Sequence, residues 1–193
     1  MKLKHFVLLS ALLGAAATAR ATTVIPPTFD ELVDQAEVIF QGSVADVRSQ
    51  WIGEGAERSI VSYITFAVED ALKGNASQTY TIRMLGGTVG EDTMEVSDAP
   101  RFHVGDKDIL FVEHNGSQFV PLVGIMHGRF HVRRNQAGGE VVTDNSDEPV
   151  RDVTRLGRES SAPSPRVTDL TPGDFKAAIK ERAEAASGNH PAQ

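Results

Sequence analysis

The stretch "KDILFVEHNGSQFVPLVGIMHGRFHVRR", Lys107–Arg134, decides what kind of sheet this chain builds. Ile109–Val112 is a continuous apolar run of strand length, which predicts a strand covered on both faces. Asn115-Gly116 follows, and both residues tolerate positive φ, so "DILFVEH" and "SQFVPLV" are expected to pair as a hairpin. Met126–Arg134 carries His127 and His131 four apart, a spacing that on a helix would suit a metal ion. Gly124 and Gly128 lie in this run, with β-branched Val123, Ile125 and Val132, so strand is the reading. Residues four apart on a strand are separated by roughly 13 Å at about 3.3 Å per residue. Two imidazoles cannot share an ion that must lie about 2.1 Å from each, and no metal or cofactor is expected. Alternation puts Met126, Phe130 and Val132 on the buried face. His127, Arg129, His131 and Arg133 then form a basic stripe on the other face, a solvated strand face or a docking strip for an acidic partner.

The same patterning extends outward. "PPTFDELVDQ" opens a short helix, with Thr28 and Glu31 spaced as a capping box. "EVIFQGSVADVRSQWI" is rich in β-branched and aromatic residues and reads as a strand, bent or bulged at Gly42. In "SIVSYITFAVEDALKG", Ile60, Ile64, Phe66 and Val68 oppose Tyr63, Thr65 and Glu69. In "QTYTIRML", Tyr80, Ile82 and Met84 oppose Thr79, Thr81 and Arg83. "GGTVGEDTMEVSDAPRF" is a long glycine-rich, acidic connection. "NQAGG" is a turn before the short strand "EVVTD". Residues 145–170 are polar and proline-bearing and read as a linker or loop. Thr171, Pro172 and Asp174 start a C-terminal helix over 171–186 whose thin apolar stripe suits the domain surface. A disordered tail is expected over 187–193. The fold class is therefore mostly β, a small OB-like barrel or strongly bent antiparallel sheet over 22–144, with a short helix near each end.

Residues 1–21 read as a signal peptide: "MKLK" is cationic, Phe6–Ala17 is apolar, and "ARA" offers small residues for cleavage. Cleavage after Ala21 starts the mature chain at Thr22, while "ATA" allows a cut after Ala19. The apolar run is too short to span a bilayer, and no later stretch is long or apolar enough. Removing Lys2, Lys4 and Arg20 takes three cations from the formal charge of −7, leaving −10. An acidic protein exported to the periplasm or medium is the expectation, and nucleic acid is not the expected partner. The chain has no cysteine, which excludes thiol catalysis, thiolate metal sites and disulfide scaffolding.

No serine has the rigid strand-to-helix setting of a nucleophile elbow. The glycine-rich "GGTVGEDT" has neither the lysine nor the helix of a phosphate loop. The acidic runs Glu91–Asp98 and Asp144–Glu148 lack the spacing of a calcium loop. A non-enzymatic module that binds a protein or envelope component is the leading expectation. A hydrolase whose carboxylates meet only in the fold is a third, behind the inhibitor reading given below.

The stretch "ATTVIPPTFDELVDQAEVIFQGSVADV", followed by "SYITFAVEDALKG", resembles the first half of the netrin-like and tissue-inhibitor-of-metalloproteinase superfamily. The matching elements are Ala36-Glu37-Val38-Ile39 through Gly42 and Val44, and Leu72-Lys73-Gly74. "GGTVG…APRFHVGDKDILFV" is similar to a pattern of exported bacterial proteins with this layout. The resemblance covers about residues 22–123 and implies an OB-like barrel. It also implies an inhibitor mechanism in which the amine and carbonyl of Thr22 chelate a protease zinc, with Thr23 and Val24 entering the cleft. Threonine and valine stand here where that family has cysteines, so ordering this terminus would cost entropy on binding.

Overall fold

The computed structural model describes residues 25–158 and 168–188. The chain begins with helix α1, Phe29–Gln35, followed by two long strands, β1 (Val38–Ile52) and β2 (Ser59–Lys73). Strand β3 (Thr79–Leu85) leads into a small hairpin of β4 (Gly87–Val89) and β5 (Asp92–Met94). Strands β6 (Lys107–Val112), β7 (Arg129–Arg134) and β8 (Glu140–Thr143) follow, and helix α2, Pro172–Gly188, ends the described chain. The main sheet is antiparallel in the order β3-β2-β1-β6-β7-β8. Among the described residues this order is open, with β3 and β8 at its ends. Residues 1–24, 159–167 and 189–193 lie outside the description, and with them the expected leader and mature N-terminus.

The all-apolar run behaves as its composition demands. Asp108–Val112 are all buried. Ile109 and Phe111 join one core cluster, and Leu110 and Val112 the other, so the strand has no solvent face. The first cluster is roofed by the helices: Phe175 and Ile179 of α2 are fully buried, and the Phe175 ring lies 4.9 Å from Phe130 and 5.9 Å from Phe29. Burying such a side chain contributes roughly 1.5–3 kcal/mol. Helix α2 is thus part of the core, where its thin stripe suggested a surface helix. Two large side chains suffice because both enter a gap already lined by phenylalanines. The second cluster, on the opposite face, centres on Phe40, Phe66, Ile82 and Met84.

Helix α1 starts with the expected capping box, Thr28 N–H donating to Glu31 (2.8 Å) and Glu31 N–H to Thr28 Oγ1 (3.3 Å). Its C-terminal end has no cation of its own. Lys73 of β2 supplies one, donating to the carbonyls of Val33 (2.6 Å) and Asp34 (3.1 Å), where a positive charge suits the helix dipole. Gly42 marks a register shift between β1 and β2. A Cβ there would sit 2.7 Å from the Ala67 carbonyl oxygen.

Two expectations need correction. "SQFVPLV" is not a strand: only an isolated bridge, Val112 with Leu122, links it to β6, whose ladder partner is β7. The expected strand Met126–Arg134 begins only at Arg129, because Val123–Gly128 form successive turns, with Ile125 at φ 63. Where it is described, the segment expected as a linker or loop, 145–170, contributes to the core. Val150 is buried, and Val153 and Leu156 pack beneath the helices.

Candidate functional site

The expected basic stripe is the first place to look, and it is not a surface. Arg129 and His131 do share a face of β7, as alternation requires, but they are only 3% and 5% exposed. Their partner is Asp108 on the adjacent strand, paired in register with His131 and completely buried. Its Oδ2 accepts from Arg129 Nε (3.1 Å) and Nη2 (2.9 Å), and its Oδ1 accepts from His131 Nδ1 (2.7 Å). A buried charge must be paired in this way, because an uncompensated one would cost several kcal/mol. Arg133 is half-exposed and bonded to Asp147 (3.1 Å). His127 stands apart in the turn, where burial lowers its pKa below the ordinary imidazole value, against the opposing pull of Asp144. Four residues expected on one wet face are therefore divided among a buried cluster, an ion pair and a turn. Arg129 is covered by Arg101, Phe102 and Asp106, and alternation along β7 carries no information about that cover.

Arg129 reaches beyond Asp108 into the cover itself. Its Nη1 donates to the Arg101 carbonyl (2.5 Å), its Nη2 to Asp106 (2.9 Å), and its guanidinium lies 4.0 Å over the Phe102 ring. Asp106 also accepts from His103 N–H (2.9 Å). Burial pushes the Asp106 carboxyl upward, but the His103 amide and the Arg129 guanidinium outweigh it and hold the group below its ordinary range. One buried cation thus fastens the 101–106 loop to the sheet.

That loop is one wall of a half-open groove of about 600 Å³. Its floor is Val47 of β1, Ile64 of β2, Met84 of β3 and Phe102. Between them Ser49 and Ser62 share a hydrogen bond (2.8 Å), and Ser62 also donates to the Gly86 carbonyl (2.7 Å). The opposite wall is the β4–β5 hairpin, which crosses over these serines. A Cβ at Gly87 would lie 2.2 Å from Ser62 Oγ and 2.4 Å from Ser49 Oγ, so only glycine permits the crossing. Arg101 and His103 stand at the rim, with Arg101 paired to Glu95 (2.5 Å). The groove's two carboxylates, Glu95 and Asp98, are both exposed. The arrangement offers an apolar floor, hydroxyls and a polar rim.

Among the described residues no three His, Asp or Glu side chains assemble as metal ligands. The acidic run at 144–148 is occupied by its own turn, Asp144 Oδ1 accepting from Ser146 and Glu148 N–H. The inhibitor-type residues Thr22, Thr23 and Val24 lie outside the described residues. The stretch 86–102, read as a long glycine-rich, acidic connection, supplies residues to both walls of the groove. A usable signal was present in Asp106 and Asp108, two apart ahead of an all-apolar strand, matched by Arg129 and His131 two apart on a later one. Comparison of the chain with protein-family models, curated proteins and solved structures finds no match in any of the three.

Proposed function

We propose that the chain is an exported, non-enzymatic binding module that holds a protein or envelope component in the groove between Phe102 and the β4–β5 hairpin. The observation that carries this reading is the fastening of the groove wall by Arg129. A wall ordered before its ligand arrives spares the entropy that a loose loop would lose on binding. Export is supported by the cationic, apolar and small-residue pattern of residues 1–21. Arg129 and His131 serve here as positioning residues, and the contact surface is Ser97, Arg101 and their neighbours.

The test is capture of partners from envelope and medium with the purified chain as bait. Ser97→Trp, which fills the groove, and Arg101→Glu, which reverses its rim charge, should each abolish capture. Arg134→Ser, on the exposed end of β7, should not. Equal capture by all three, with thermal melting unchanged, would defeat the proposal. The netrin-like kinship, the barrel it implies and zinc-protease inhibition through Thr22 rest on the sequence motifs of residues 22–123. An extra residue ahead of Thr22 would abolish that chelation and leave groove docking intact, so one variant separates the two mechanisms.

A further inference from the structure

The ends of the main sheet are both covered by the chain itself. Along β3, Arg83 N–H donates to the Asn115 side chain (3.0 Å), Asn115 donates to the Thr81 carbonyl (2.8 Å), and Leu85 N–H donates to the Phe119 carbonyl (2.7 Å). Along β8, Val150 N–H donates to the Val142 carbonyl and Val142 N–H to the Leu170 carbonyl, both at 2.9 Å. Strand β1 is treated differently. Its pairing with β6 ends at Ser43, and Gly105 and Asp106 add one further exchange of bonds with Val44. Its pairing with β2 continues to Ile52. Among the described residues, Asp46–Ile52 therefore has a ladder partner on one side and none on the other.

Such an edge prescribes an extended backbone as its complement, and we propose that the complement is the same edge of a second copy. The warrant is the strand's own self-complementarity about Ser49. An antiparallel two-fold pairing centred there sets Asp46 opposite Ile52, Val47 opposite Trp51, Arg48 opposite Gln50 and Ser49 opposite itself. No like charges face each other directly, and two Val–Trp pairs form on the groove face, a favourable cross-strand combination. The partner strand ends at Ile52 opposite Asp46 and turns away at Gly53, whose φ is 74. It therefore stops short of Val44, where Gly105 already occupies the edge. Asp46 and Arg48 are joined by a 2.8 Å ion pair, so an acidic body of formal charge −7 meets its copy along a neutral strand. The inference does not rest on what the groove binds, though it brings Trp51 of the copy beside Val47 of the groove floor, and its failure would leave that reading standing.

Because the chain has no cysteine, introduced thiols report the register directly. Directly opposed positions in an antiparallel pair have Cα atoms about 4.5–5.5 Å apart, within the range a disulfide spans. Diagonal positions, about 7–8 Å apart, are outside it. A mixture of Arg48→Cys and Gln50→Cys proteins should crosslink several-fold faster than either variant alone. Light scattering of the unmodified chain should show mass rising toward twice the monomer with concentration, and Trp51→Lys should suppress the rise. A monomer at all concentrations would overturn the proposal and leave Arg48 as the charge that guards this edge. Crosslinking of equal rate from all three samples, or a dimer indifferent to Trp51→Lys, would overturn it too.

Discussion

Arg129 meets two carboxylates, a carbonyl and a ring, and almost all of that was invisible along β7. Alternation correctly set Arg129 beside His131. Whether their shared face was wet depended on Asp106 and Asp108, which precede them by more than twenty residues. Arg129→Met should cost about 3–5 kcal/mol in urea unfolding, since it strands the buried Asp108 charge with His131 alone. The same residue sets an acid limit. Asp106 is held below its ordinary value of 3.8 in the folded protein. Its contribution is complete above that value and is lost as pH falls through the lowered one, because the unfolded chain takes up the proton first. The unmodified protein should therefore lose stability below about pH 4 more steeply than Arg129→Met does. Parallel acid profiles for the two proteins would show that Asp106 draws nothing from the guanidinium.

At the scale of elements, periodicity served well wherever a strand had one apolar and one polar face. The bounds of β2 and β3 and the Gly42 bulge were all legible, because each rests on contacts between neighbouring strands. Legibility failed at 113–128, where Asn115-Gly116 looked like a hairpin turn. Positive φ falls instead at His114 (48°) and Gly116 (95°), and the Asn115 amide turns outward to bond with β3. The chain after it covers an edge rather than adding a strand, a choice made by long-range pairing that turn propensity does not encode. Asn115→Ala should cost about 1–2 kcal/mol for its two lost bonds. Hydrogen exchange at the Arg83 amide should accelerate while that of Ile109, in the centre of β6, stays slow. Unchanged exchange at Arg83 would mean the side chain contributes no protection to that edge.

For the whole molecule, the deciding fact is that β6 belongs to two cores at once. Ile109 and Phe111 pack under the helices, and Leu110 and Val112 pack toward the groove face, so a disturbance of one cluster acts on the backbone of the other. The apolar run announced this double burial, but it could not say that the roof on one side would come from α2, more than sixty residues downstream. Phe175→Ala removes the ring that touches Phe29, Phe111 and Phe130 and should cost about 3–5 kcal/mol. Trp51, the sole tryptophan, stands near the far end of β1, stacked on Arg58 at 3.9 Å and remote in the fold from that ring. If the two clusters unfold as one unit, Trp51 fluorescence and far-ultraviolet dichroism should shift together to lower urea in Phe175→Ala. A fluorescence transition that stays in place while the dichroism transition moves would separate the long β1–β2 hairpin and its groove from the helix-roofed half as an independently stable unit.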